Sequence, residues 1–266
     1  MNSKVNIGKT YSVLKSEFIH TLKSIDQSKN IYEIFHDFVF CSAAALRNSI
    51  GHRYQNLFNH NIENEYLQRI NRYDVSGRLK IKKLFYLLVD LCEAKGEPYD
   101  VLGSIYMELE IGNDHIGQYF TPSEVSNLCA QVVMTDLKKQ LEEEGVISIS
   151  DPACGAGSTL LSTVKLCLES KIQVQDHLYI EAADIDRNVA LMCYIQLSLW
   201  AVPCRIFVGD TLKLKYRECW CSLMYYVKGW DIKLHSQKLK EIGDLCTKQP
   251  LCSRHTTKPK KNKEWQ

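Results

Sequence analysis

No stretch of this sequence is apolar for long enough to span a membrane, and Met1 to Leu14 lacks the pattern of a signal peptide. A surplus of one charge is missing too: 33 basic against 31 acidic residues leave +2, so no global field points to a polyanionic partner. A local basic groove stays open as a route to nucleic acid. Cys-x-x-Cys pairs are absent although there are eleven cysteines, an odd number that does not suit a disulfide framework. Cys41, Cys92, Cys129, Cys167 and Cys193 fall inside apolar periodic runs, where a free thiol behaves as a small hydrophobe. Cys219, Cys221, Cys246, Cys252, His235 and His255 match no zinc-ligand spacing, so no metal is expected. Together these absences describe a reduced, cytoplasmic protein, with 45% hydrophobic residues to build a core.

One stretch organises the rest. Asp151-Pro152-Ala153-Cys154-Gly155-Ala156-Gly157-Ser158 follows the alternating run Val146 to Ser150 and precedes an apolar-periodic stretch, Thr159 to Leu168. That order reads as strand, tight turn and helix, with two glycines where the backbone must lie close to something. The amides opening such a helix favour an anion. The third glycine of a dinucleotide fingerprint is missing, which excludes a pyrophosphate as the natural ligand. A ligand with an ammonium for Asp151 and a carboxylate for the amides fits, and that describes an amino-acid-bearing nucleoside. By itself Gly-x-Gly does no more than turn a chain; its flanks and partners carry the ligand reading.

The first third of the chain shows helical spacing and no strand-like alternation. Asn30 can cap a helix with Glu33 reaching back, and Ile31, Ile34, Phe35, Phe38 and Val39 share a face. Ile81, Leu84, Phe85, Leu88 and Cys92 make a second stripe ended near Gly96. Pro98 can open a third helix with Val101, Leu102, Ile105 and Tyr106 inward. Residues 50–74 are less regular. Basic residues such as Arg47, Arg69, Arg72 and Arg78 could meet phosphates or simply solvate a polar face. Further on, Gly117-Gln118-Tyr119-Phe120-Thr121-Pro122-Ser123-Glu124 has the form of a capped helix start: Thr121 as N-cap, Pro122 first, Glu124 completing the capping box. Val125, Leu128, Cys129, Val132 and Val133 are then expected to be its buried stripe. Tyr119, Phe120 and Thr121 could form a wall of the pocket made by the glycine turn.

The pair of motifs Gly-Gln-Tyr-Phe-Thr-Pro (117–122) and Asp-Pro-Ala-Cys-Gly-Ala-Gly-Ser (151–158), in this order, resembles the DNA N6-adenine methyltransferases related to the modification subunits of type I restriction systems. Asp100-Val101-Leu102-Gly103-Ser104-Ile105-Tyr106 is similar to the family's arrangement ahead of its catalytic domain. The resemblance implies S-adenosylmethionine (SAM) as the cofactor, held by both motifs. Tyr119, Phe120, Thr121, Pro122, Asp151, Ala153, Gly155, Gly157 and Ser158 are the residues that match.

Two further acids complete the expected pocket. A strand at His177 to Ala183 closes on Asp184-Ile185-Asp186, and the next helix runs from Arg187 to Trp200. A carboxylate near this position can accept from both ribose hydroxyls, and it can equally cap the helix that follows. The split assignment puts Asp184 and the adjoining Ile185 at the cofactor and Asp186 at the cap. A third strand, Cys204 to Val208, runs into Gly209-Asp210, and the resemblance implies Asp210 beside the cofactor's adenine amine. All three acids close strands at the carboxyl edge, where open α/β sheets bind ligands.

The chain also departs from the family. Members hold the adenine amine with an Asn/Asp-Pro-Pro-aromatic segment after the fourth strand, and here no two of the six prolines are adjacent. The nearest substitute is a short strand at Leu223 to Val227 followed by Lys228-Gly229-Trp230-Asp231, with Trp230 stacking and Asp231 accepting. Otherwise Trp230 is only a packing residue. The expectation is an α/β protein: a helical domain over 1–112, an abbreviated Rossmann-like SAM-dependent methyltransferase domain over 113–212, and a divergent segment over 213–266 with a basic tail at Lys258 to Lys263. Its first strand should have an exposed edge unless residues 221–227 or another chain covers it. Two functions stay open: a restriction–modification type DNA adenine methylase, or a catalytically impaired SAM- and DNA-binding or regulatory subunit. Expected partners are DNA, a specificity or restriction subunit or a second copy, and no membrane.

Overall fold

The computed structural model describes residues 10–52, 54–109 and 121–235. Residues 1–230 form one unit, and a second begins at Asp231, of which the described part is the helical segment 231–235, exposed at Asp231, Ile232 and His235. Among the described residues the first unit opens with the α-helices α1 (Tyr11–Lys23), α2 (Ile31–Asn48), α3 (His60–Ile70), α4 (Val75–Lys95) and α5 (Val101–Glu108). Their ends follow local chemistry. Asn30 accepts the Tyr32 amide at 2.9 Å to start α2, and Gly96 ends α4 at φ 71°, a conformation that costs glycine little. Helix α5 starts at Val101 rather than Pro98, because Asp100 accepts the Gly103 amide at 2.8 Å and so acts as the cap. Helices α1 and α3, unmarked by a clear stripe, are additions to the expected set.

The remaining elements are α6 (Ser123–Glu144), β1 (Ile147–Asp151), α7 (Ser158–Glu169), α8 (Val174–His177), β2 (Leu178–Asp184), α9 (Arg187–Leu199), β3 (Cys204–Asp210), β4 (Lys215–Cys221) and α10 (Leu223–Val227). The sheet order is β1-β2-β3-β4. The first three strands are parallel, with Ile149 beside Ile180 and Ile180 beside Cys204. The fourth is antiparallel, placing Trp220 beside Ile206. This corrects the sequence reading. Leu223 to Val227 is a helix, capped by Ser222, whose hydroxyl accepts the Tyr225 amide at 3.3 Å and donates to the Val202 carbonyl at 2.8 Å. The fourth strand lies just before it and returns along β3 through a tight turn. Among the described residues β1 pairs on one side only, as expected of a shortened sheet, and Ser148 and Ser150 on it are exposed.

One hydrophobic core runs through helices and sheet, from Phe18, Phe38 and Leu88 to Ile180, Ile206 and Trp220. The expected boundary at 112/113 lies outside the described residues. Helix α9 packs on β2 and β3 on one side and on α2 on the other. A charged cluster reinforces that contact. Arg187 at the start of α9 meets Glu65 of α3 at 2.6 Å and Glu218 of β4 at 2.9 Å, while Arg69 joins Glu65 to the buried Asp37. Arg69 and Arg72, candidates for phosphate contact, are thus turned to Asp37, Glu65 and Glu33.

Helix α6 reverses its expected orientation. Ser126, Ala130, Met134 and Leu137 are buried, while Val125, Leu128, Val132 and Val133 are 47%, 61%, 71% and 43% exposed. Its first residue is Ser123, with Pro122 at the cap position and no side-chain cap bond, so the capping box from Thr121 to Glu124 does not form.

Candidate functional site

The glycine turn is built at the carboxyl ends of β1 and β2. Asp151 turns its carboxylate onto the Ala153 amide at 3.0 Å, and the Cys154 amide bonds back to the Ala183 carbonyl at 2.9 Å. Gly155 and Gly157 follow at φ 53° and 91°, both in the left-handed region that side chains resist. A Cβ on Gly155 would meet nothing within 4 Å, whereas one on Gly157 would lie 2.7 Å from Cys193 Sγ. Gly155 therefore borders open space, and Gly157 is needed for the turn to sit on α9. Ser158 then opens α7.

Asp184 holds this turn from the neighbouring strand. Its Oδ2 accepts the Gly155 amide at 2.9 Å and its Oδ1 accepts the Asp186 amide at 2.9 Å. Burial raises its pKa, those two amides oppose the shift, and the charges of Asp186 and Asp151 add to it. A carboxylate has about four acceptor positions, so two remain for a ligand. Asp186 accepts the Asn188 amide at 2.7 Å and caps α9, so the split between the two acids holds for the cap. Sequence reasoning missed that Asp184 also shapes the turn; its position one strand over from the glycines was the available signal. Ile185 between them is 62% exposed and offers an apolar platform at the same edge.

Asp210 also stands at this edge, closing β3. It is engaged with its own turn, accepting the Lys213 amide at 3.0 Å and pairing with Lys213 Nζ at 2.9 Å. Those contacts hold its carboxyl below the usual range. Nearby, Thr211 donates to the Pro152 carbonyl at 2.8 Å and links the β3–β4 turn to the glycine turn.

The second motif reaches the site through its described end. Ser158 Oγ donates to the Thr121 carbonyl at 3.3 Å and lies 2.9 Å from Ser126 Oγ of α6. Thr121, Pro122 and Ser158 line a cavity of about 190 Å³ with Tyr99, Asp100, Gly103, Ser104, Met107 and Ser123. Tyr119 and Phe120 lie outside the described residues. Tyr32, His36 and Tyr106 form an aromatic group beside this region: the His36 ring lies 3.8 Å from that of Tyr32 and stacks on Tyr106. His36 Nε2 is buried without a partner, and burial pushes its pKa down to about 4.

Trp230 is not at this site. Its ring is fully buried, stacked on Tyr179 at 5.7 Å, and its indole N–H donates to the Gln175 carbonyl at 3.0 Å. Tyr179 is the second residue of β2, so Trp230 sits at the amino end of the parallel strands, opposite Asp184. Packing and a satisfied donor fix the ring there, and the stacking role expected of it is corrected to a core role. Asp231, the expected acceptor, is exposed and begins the second unit.

Residues 97–232, half of the chain and including the glycine turn and the three strand-end acids, match the family described as N-6 DNA Methylase. The chain is also similar to the type I restriction enzyme MpnII methylase subunit of Mycoplasma pneumoniae, 28% identical over 126 residues, which is 47% of this chain and 22% of that subunit. It therefore spans about a fifth of that relative. Among solved structures it resembles a protein described as a class I S-adenosylmethionine-dependent methyltransferase from Listeria monocytogenes, with TM-score 0.44 and 15% identity over 76% of this chain and 52% of that one. A type I restriction–modification system methyltransferase subunit from Streptococcus thermophilus gives TM-score 0.39 and 12% identity over 79% and 60%.

Proposed function

Because the chain belongs to the N-6 DNA methylase family, we propose that it binds SAM at the glycine turn and serves N6-methylation of adenine in DNA of restriction–modification type. The observation that carries this reading is the bond from Asp184 to the Gly155 amide, which joins the strand-end acid and the glycine turn into one cradle. The cradle suits the ligand: Gly155 faces open space, so a nucleoside's amino-acid arm can approach the backbone there. Asp151 would take the ammonium and the first amides of α7 the carboxylate. The unused lone pairs of Asp184 suit two ribose hydroxyls, Ile185 suits the face of the base, and Asp210 suits its amine once Lys213 gives way. Thr121 and Pro122 would close one wall, with Tyr119 and Phe120 beside them. When bound, SAM supplies the methyl group.

A second reading follows from the unpaired edge of β1 and the buried Trp230: the chain holds cofactor, while the groups that grip the flipped adenine come from a partner. Extrusion of a base costs a few kcal/mol, and the segment that would offset this is not among the described residues. A specificity subunit, a restriction subunit or a second copy are the partners this reading allows, with DNA as the substrate and the cytoplasm as the place. We propose the division at 1–112, 113–212 and 213–266 as a functional one, with helices presenting DNA and the glycine turn presenting cofactor. The test is calorimetry with SAM, then transfer of labelled methyl from SAM to adenine-containing DNA, with and without specificity and restriction subunits. No binding of SAM would overturn the first reading. Efficient transfer by the chain alone would overturn the second.

A further inference from the structure

Gln196 is a buried polar residue that the cofactor reading does not use. It lies in the last turn of α9, 1% exposed, and its side-chain bonds go to none of the acids of the carboxyl edge. Its side-chain amide makes three bonds. Nε2 donates to Asp100 Oδ1 and to the Ala156 carbonyl, each at 2.9 Å, and Oε1 accepts the Leu102 amide at 3.0 Å. Both partners of the nitrogen are acceptors and the partner of the oxygen is a donor, so the orientation of the amide is determined by its surroundings. Ala156 is the residue between Gly155 and Gly157, and Asp100 and Leu102 belong to the start of α5. One side chain therefore ties the glycine turn to the helical part of the chain.

The surroundings are built for this contact. Asp100 Oδ1 also accepts the Gly103 amide at 2.8 Å, and a Cβ on Gly103 would come 2.1 Å from Asp100 Oδ2. Only glycine leaves the carboxylate its place. One turn before Gln196 on the same helix, Cys193 Sγ fills the space a Gly157 side chain would need. Helix α9 thus supports the turn at two successive points, by sulfur packing under Gly157 and by an amide holding the Ala156 carbonyl. The peptide between Ala156 and Gly157 is held at both ends. Its N–H donates to the Cys154 carbonyl at 2.8 Å within the turn, and its carbonyl is held from outside the turn by Gln196. Losing Gln196 leaves the local bond alone to fix a peptide flanked by two left-handed glycines. A simple packing role predicts an apolar residue at this fully buried site; a three-bonded amide sets a conformation as well.

We infer that Gln196 and Asp100 are a positioning pair that fixes the peptide at Ala156 and makes cofactor affinity depend on the start of α5. This rests on the proposal that SAM binds the turn. The effect is read in two ways, by SAM calorimetry and by hydrogen exchange of the 151–160 peptide in cofactor-free protein. Gln196→Met keeps the volume and removes all three bonds. It is expected to weaken SAM about tenfold and to speed exchange in that peptide. Asp100→Leu should act alike, whereas Asp100→Asn, which keeps an acceptor for Gln196 and for the Gly103 amide, should restore both readouts. Gln196→Glu is a near-isosteric control: a carboxyl carries at most one O–H where the amide nitrogen donates twice, so the Ala156 carbonyl loses its partner and SAM should bind about as poorly as in Gln196→Met. Wild-type exchange and wild-type affinity in Gln196→Met, or no rescue by Asp100→Asn, would overturn the inference. If the wild type binds no SAM, the cofactor reading fails, and the exchange measurements still decide the role of the pair.

Discussion

Alanine at the two glycines should separate folding from ligand binding. At Gly157 the backbone sits at φ 91° and the added carbon would lie 2.7 Å from Cys193 Sγ. Left-handed backbone costs a side-chain-bearing residue about 1–2 kcal/mol, and forcing a methyl into a packed site costs about 1–3 kcal/mol more. The sum, about 2–5 kcal/mol, is a large part of the stability of an ordinary domain, about 5–15 kcal/mol. Cys193→Ala in the same chain should recover the steric share and leave the backbone share, since the sulfur is the atom in the way. At Gly155 the backbone is also left-handed, φ 53°, but nothing lies within 4 Å of the added carbon. Gly155→Ala should therefore cost about 1–2 kcal/mol of stability while placing a methyl in the space proposed for the cofactor. Urea denaturation and SAM calorimetry on the two variants form the assay. Gly157→Ala should show the larger loss of midpoint; Gly155→Ala should keep most of its midpoint and lose SAM. A Gly155→Ala protein that binds SAM as the wild type does would refute the placement of the ligand. A Gly157→Ala protein with an unshifted midpoint would refute the packing argument.

Other substitutions probe the rest of the structure. Asp184→Ala removes the acceptor for the Gly155 amide and the proposed ribose contact, each charge-assisted bond contributing about 1.5–3 kcal/mol, so calorimetry should show SAM affinity reduced more than tenfold. Arg187→Met leaves Glu65 and Glu218 facing each other without their shared cation; for groups about one quarter to one third exposed the loss should be about 1–3 kcal/mol, read as a lower urea midpoint. His36 has a folded pKa near 4, lowered by burial and further by the Arg69 charge against the pull of Asp186, while its unfolded value is about 6.5. The unfolded chain therefore binds the proton first: this contribution to stability is complete above about pH 6.5 and is lost as pH falls toward 4. His36→Phe should flatten that acid loss, and equal slopes in the two proteins would remove His36 as its cause.

The glycine turn, its strand and its helix were legible because each rests on a local rule. Alternation made β1, two glycines allowed the turn, and an apolar period of 3.6 made α7; likewise Asn30 and Asp186 cap the helices assigned to them. What was illegible depended on partners distant in sequence. Asp184 reads as a ribose acid from its strand-end position, yet its bond to Gly155 exists only because β1 and β2 lie side by side. The strand at Lys215 to Cys221 carries Arg217, Glu218 and three exposed residues, so alternation there is weak; pairing with β3 forms it, and Trp220 is the anchor. Trp230 and Asp231 looked like a stacking ring and an acceptor because they follow in the expected order. The space under Tyr179 claimed the ring first.

Helix α6 shows most clearly what periodicity does and does not determine. Its valines and leucines fall at helical spacing, and that spacing correctly gives a helix with an apolar stripe. Spacing says nothing of which face a neighbour approaches. Helix α6 packs closely along α7 and against β1, and close approach of two helices is easiest where side chains are small. Ser126 and Ala130 satisfy that, with Ser126 Oγ within 2.9 Å of Ser158 Oγ at the start of α7. The bulkier Val125, Leu128, Val132 and Val133 are thereby turned outward. The same helix reaches the free side of β1, where the Gln140 side chain accepts the Ser148 amide at 3.3 Å. A single glutamine answers one amide of a strand whose outer side has no strand neighbour among the described residues. Parallel sheets are ordinarily covered on both faces. The outward apolar stripe and the glutamine that answers an edge amide of β1 thus both belong to α6, and its packing face is set by the small residues that meet α7 rather than by where its bulkier side chains fall.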